Sequence, residues 1–99
     1  MNVEANIKKI IEEVIDICIQ HAEIEEIILY GSRAKGTHLP KSDIDIALRG
    51  NQIDIDDLSV QIEQIETLLG IDLVDVDHCK NELLRKEIEK DGIALYRKV

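Results

Sequence analysis

The stretch Tyr30-Gly31-Ser32-Arg33-Ala34-Lys35-Gly36-Thr37-His38-Leu39-Pro40-Lys41-Ser42-Asp43-Ile44-Asp45 decides how this chain is read. It opens with two small residues, Gly31 and Ser32, after the apolar run Ile27-Ile28-Leu29-Tyr30, and closes on two aspartates one residue apart. A Gly-Ser turn lets backbone N–H groups approach an anion closely, and paired carboxylates hold a divalent cation. An anion cradle beside a hard-metal site suits chemistry on a phosphorylated nucleotide.

Working outward, ten residues separate Ser32 from Asp43, with Gly36, Pro40 and Ser42 as punctuation, so they connect two strands. A single helical turn is predicted from Ser32, as its cap, through Lys35, ended by Gly36. Glu26 to Tyr30 reads as a buried strand, and Asp43 to Leu48 as a second. The second alternates, with Ile44, Ile46 and Leu48 on one face and Asp43, Asp45 and Ala47 on the other. Two carboxylates on one strand face lie about 7 Å apart along it. Aspartate is depleted in strands and like charges repel. At an effective dielectric near 20 and about 5 Å between carboxylates the cost is roughly 3 kcal/mol, which a bridging cation reverses. For Asp-x-Asp alone, a solvated edge strand with an acidic face explains the pattern as well.

A third carboxylate strengthens the metal reading. The predicted strand 71–76 offers Asp72 and Asp75, on opposite faces because they are three apart. A right-handed helical crossover between strands two and three makes them parallel with their starts level, which favours Asp72 over Asp75. That crossover is predicted over residues 54–69, with Asp54 as N-cap, an apolar line of Ile55, Leu58, Ile62, Ile65 and Leu69, and Gly70 as the stop. An amphipathic helix over 4–22 carries Ile7, Ile10, Ile11, Val14, Ile15 and Cys18 on one face. A last helix over 81–91 turns Leu83, Leu84 and Ile88 inward before Gly92, and residues 93–96 add a short strand. The order predicts an α/β (α+β) fold, a small mixed sheet of three to four strands with helices packed on it, as one domain over 1–99.

Composition narrows the partners. A net charge of −9 argues against binding nucleic acid directly, because phosphate backbones are held by a Lys/Arg excess. Within residues 31–50, four cations (Arg33, Lys35, Lys41, Arg49) face two anions (Asp43, Asp45), a basic island fitted to a small phosphorylated ligand such as a nucleoside triphosphate. Two cysteines are no disulfide framework, and no apolar run has membrane-spanning length, so a cytoplasmic chain with no membrane partner is expected. The Gly31 to Gly36 spacing is that of a P-loop, but Thr37-His38 stands where Lys-Ser/Thr is required. Neither Asp43-Ile44-Asp45 nor Asp54-Ile55-Asp56 continues as an EF-hand loop. Cys18, His21, His78 and Cys79 make a poor zinc set, because Cys18 falls on the apolar side of a helix and the adjacent pair His78-Cys79 lacks ligand spacing; a core cysteine and surface histidines are expected.

As a set, Gly31-Ser32, the ten-residue gap, Asp43-Ile44-Asp45, the third strand Ile71-Asp72-Leu73 and the ending Asp91-Gly92-Ile93-Ala94-Leu95-Tyr96 resemble the nucleotidyltransferases of the DNA polymerase β superfamily. The length resembles the minimal nucleotidyltransferases (MNT) encoded beside HEPN proteins. The resemblance implies a nucleotidyltransferase fold and an antitoxin of a toxin–antitoxin system. Such an antitoxin transfers AMP from ATP, with Mg²⁺, onto a tyrosine of its HEPN ribonuclease toxin (AMPylation), and pairs with it as a hetero-oligomer. It also implies that Asp43, Asp45 and Asp72 are the catalytic, metal-binding residues. Gly31, Ser32, Arg33 and Ser42 are the candidate nucleotide-binding residues. Two rival functions remain, a non-catalytic subunit that neutralises its partner by occlusion and nucleotidyl transfer to a small molecule.

Overall fold

The computed structural model describes residues 3–99. Helix α1 (Val3–Cys18) precedes strand β1 (Ile24–Tyr30) and the single-turn helix α2 (Ser32–Lys35). Strand β2 (Ile44–Gly50), helix α3 (Ile55–Ile62), strand β3 (Ile71–Asp75), helix α4 (Glu82–Asp91) and strand β4 (Ile93–Arg97) follow. The sheet order is β3-β2-β1-β4, with β2 and β3 parallel and the other neighbours antiparallel. The α/β reading with a small mixed sheet holds, and the sheet has its fourth strand.

Alternation along the strands sorts the core onto two faces. On one, Ile27 and Leu29 of β1 and Ile44, Ile46 and Leu48 of β2 meet Val14 and Cys18 of α1 and Leu58 and Ile62 of α3. On the other, Ile28, Tyr30 and Ala47 meet Val76 and Ile88, the latter from α4. Burial pushes the Cys18 thiol up to about 11, so it behaves as a small apolar side chain and not as a metal ligand. Glu26 on β1 bonds Arg49 of β2 at 3.3 Å and Arg97 of β4 at 2.8 Å, tying three strands together by cross-strand charge pairs.

Several boundaries differ from expectation. Helix α1 stops at Cys18 rather than running to residue 22. Gln20 and His21 donate to carbonyls three residues back, Ile17 and Cys18, which tightens and closes the helix so the chain can enter β1. Helix α3 ends at Ile62, seven residues short of the predicted end. Ile65 donates to Ile62 and Leu69 to the Thr67 hydroxyl, a series of turns that keeps Ile65 and Leu69 on the core without a helix. Gly70 therefore stops nothing; its carbonyl accepts from Ile44 at 2.9 Å, joining the starts of β2 and β3. Gly31, not Ser32, is the N-cap of α2. In α4, Leu84 and Ile88, four apart, form the inward stripe, and Leu83, one step off it, points to solvent.

Asp54 caps α3 as expected, accepting from Asp57 at 3.0 Å, and Asn81 caps α4 by accepting from Leu84 at 3.1 Å. Because α4 covers the face that carries Tyr30, Asn81→Ala is expected to cost about 1 kcal/mol. In a domain of this size that lowers the melting temperature by about 4–8 °C, readable by thermal denaturation. An unchanged midpoint would show that this cap contributes nothing.

Candidate active site

The site forms where β1 ends. In register, Tyr30 of β1 stands opposite Asp45 of β2, and Asp45 stands beside Asp72 of β3. Paired residues on neighbouring strands share a face, so Tyr30, Asp45 and Asp72 make a row across three strands. Asp75 is in register with Leu48, on the other face, and its carboxylate bonds His78 at 2.9 Å. Asp72, and not Asp75, lies beside Asp45.

Gly31 follows Tyr30 with φ +76° and ψ −157°, a conformation open almost only to glycine. A Cβ there would fall 2.3 Å from the Asp45 carboxylate. The chain thus turns from β1 into α2 with its backbone against the acid. The carbonyl of Gly31 accepts from Ala34 and Lys35, which leaves the amides of Ser32 and Arg33, at the head of the turn, with no intrahelical acceptor. Gly36 closes the turn in the left-handed conformation.

Asp43 precedes β2 and comes against Gly70, where a Cβ would lie 2.6 Å from its Oδ1. Gly70, read from sequence as a helix stop, is instead the close-packed neighbour that admits this carboxylate. The Asp45 carboxyl is held above its usual range by burial first, then by the charges of Asp72 and Asp43. The Tyr30 phenol is pushed up to about 12 by burial, then by Asp45 and Asp72.

These residues fit a hard divalent cation. Crowded carboxylates are oxygen ligands whose mutual repulsion a cation removes. Among the described residues, no three acidic, histidine or cysteine side chains close into a ligand set by themselves. A cation such as Mg²⁺, held by one or two carboxylates, typically takes its further ligands from water and substrate phosphates.

The other candidate residues have visible occupations. The Arg33 guanidinium donates to the Ser42 carbonyl at 3.1 and 2.8 Å and to that of Pro40 at 3.3 Å, so it braces the loop between α2 and β2. The Ser42 hydroxyl accepts from Leu39 at 2.9 Å and shapes the same loop. Ser32 opens α2 beside the acids. Sequence reasoning missed Glu87. It bonds Lys35 of α2 at 2.7 Å, and its charge reaches Asp45 and Tyr30. On α4 nothing in the sequence distinguishes it from Glu82 or Glu89, because only the tertiary fold brings it to the site.

A glycine turn set against a strand acid that pairs in register with an acid on a parallel neighbour defines, with this strand order, a nucleotidyltransferase. A family model described as "Polymerase beta, Nucleotidyltransferase" matches residues 12–99, and the chain belongs to that family. It is 31% identical over 98 residues to a protein of Methanocaldococcus jannaschii named protein adenylyltransferase MJ1379, an activity assigned to that protein provisionally. The match covers 94% of this chain and 98% of that one. Among solved structures, a toxin–antitoxin complex with AMP-PNP contains a chain of the same fold, with TM-score 0.60 and 23% identity over 99% of this chain and 75% of that one. A tri-AMPylated HEPN toxin in complex with its MNT antitoxin, from Shewanella oneidensis, gives TM-score 0.58 and 22% identity over 98% and 74%.

Proposed function

We propose that this nucleotidyltransferase is a Mg²⁺- and ATP-dependent protein adenylyltransferase. It acts as an antitoxin, moving AMP from ATP to a tyrosine of a HEPN-type toxin. The observation that carries the proposal is the in-register pairing of Asp45 with Asp72 beside the glycine turn at Gly31. The names of its relatives, a protein adenylyltransferase and an antitoxin bound to an AMPylated HEPN toxin, support the class of acceptor.

The reaction asks little covalent chemistry of the protein. The acceptor oxygen attacks the α-phosphorus, the bond to the β-phosphate breaks, and pyrophosphate leaves. The amides of Ser32 and Arg33 and the Ser32 hydroxyl hold and orient the triphosphate. Arg33 and Ser42 keep the following loop closed beneath it. The carboxylates of Asp43, Asp45 and Asp72 are the ones from which Mg²⁺ would take its protein ligands, water and the phosphates supplying the others, and it would neutralise charge developing on the phosphates. The acceptor's proton passes to the carboxylate set.

Calorimetry with ATP and GTP, with and without Mg²⁺, tests the site. Intact-mass measurement of the partner after incubation with ATP and Mg²⁺ tests the transfer. The expected result is metal-dependent ATP binding and a partner heavier by whole AMP units. If neutralisation of the toxin survives Asp43→Asn together with Asp45→Asn, occlusion and not catalysis is the mechanism.

A further inference from the structure

A large concavity of the molecule lies away from the carboxylates of the site. It is a groove of about 860 Å³ between α1 and the turns of residues 64–69, with Pro40 at one end. Ile7, Ile10 and Ile17 of α1 form one wall, and Ile65 and Leu69 form the facing one. Leu68, on the groove's lip, is fully exposed, and Leu39, next to Pro40, is 72% exposed. The turns that make the second wall run directly into Gly70, against which the Asp43 carboxylate packs.

Shape and charge identify the occupant. The α1 wall runs from Asn6 to Ile17 at three- and four-residue steps, three turns and about 16 Å of straight surface. Another helix of three turns, presenting apolar residues at the same steps, lies along such a wall. The lining carries Glu13, Asp16 and Glu66 against Lys9, a surplus of two negative charges. The whole chain carries −9. A partner matched to it brings Lys or Arg on the flanks of its apolar stripe.

We infer that this groove docks a basic amphipathic helix of the acceptor protein. This rests on the reading that the acceptor is a protein.

The test uses the full chain and a fluorescent helical peptide with leucines at three- and four-residue spacing and lysines flanking them. A second peptide has glutamates in place of the lysines. Anisotropy titrations are run on the wild-type chain and on Leu68→Glu, whose fold is checked by circular dichroism. The expected result is binding of the lysine peptide but not the glutamate peptide, weakened at least tenfold by Leu68→Glu. Calorimetric nucleotide binding by that variant is expected to be unchanged. Equal binding of both peptides, binding of neither, or no effect of Leu68→Glu overturns the inference. So does dimerisation in sedimentation that Leu68→Glu abolishes, because the occupant is then a second copy. Failed peptide binding with intact nucleotide binding defeats only the groove. Intact peptide binding without nucleotide binding defeats the enzymatic reading and leaves the groove.

Discussion

Gly31→Ala is expected to abolish nucleotidyl transfer, by at least about a hundredfold, and to lower the melting temperature by about 10 °C. Two independent costs add at this position. The backbone at φ +76° and ψ −157° is nearly closed to alanine, and forcing it there costs on the order of 1–3 kcal/mol. The new Cβ would also fall 2.3 Å from the Asp45 carboxylate, so either the acid or the turn must move. On the proposed function, moving either separates the amides that would hold phosphate from the carboxylates that would hold metal. Displacements of about 1 Å are enough for a hundredfold loss in a reaction that depends on positioning.

Gly36 supplies the control. It also has positive φ, +77°, but a Cβ there meets nothing within 4 Å. Gly36→Ala thus bears the backbone cost alone, about 1 kcal/mol, and is expected to retain transfer. Thermal denaturation and a transfer assay on both variants separate the effects. Should the two alanines lose activity equally, turn strain and not the approach to Asp45 is what matters.

The contrast between these glycines shows what the sequence could and could not reveal. The strands were legible because period-2 alternation in Ile44-Asp45-Ile46-Ala47-Leu48 is unambiguous, and the parallel pairing of β2 and β3 followed from the crossover between them. That pairing brought Asp72 beside Asp45 without side-chain information. The end of α3 was hidden because Ile65 and Leu69 keep a helical rhythm of burial while the backbone between them is a chain of turns. Gly70 then looked like a helix terminator, when its lack of a side chain serves Asp43. Leu83 was misplaced because adjacent leucines on a helix cannot both face the core, and the sequence does not say which one does. Glu87 could not be found at all. Its place beside Lys35 depends on how α4 lies across the sheet, and local pattern carries no trace of that.

Asp45→Asn is expected to make the metal-free protein more stable while reducing transfer by about a thousandfold. The sign follows from the raised proton affinity of the Asp45 carboxyl, caused first by burial and then by Asp72 and Asp43. An acid whose folded pKa exceeds its unfolded value binds more protons in the native state between those two values. Stability then falls as pH rises through that window, starting from the reference value of 3.8, and the loss persists at neutral pH. Asparagine removes this charge and with it the loss. Because the group is partly open to solvent, the gain is discounted to about 1 kcal/mol. On the proposed function activity moves the other way, since Asp45 would be a ligand of the charge-neutralising cation, and about 4 kcal/mol of lost stabilisation is roughly a thousandfold in rate. Saturating Mg²⁺ reverses the stability order by stabilising the wild type alone. Urea titrations from pH 4 to neutrality on both proteins, with and without Mg²⁺ and ATP, read every part of this. An asparagine variant less stable than wild type in the absence of metal would mean that the Asp45 carboxylate is a structural anchor and not a ligand held in waiting.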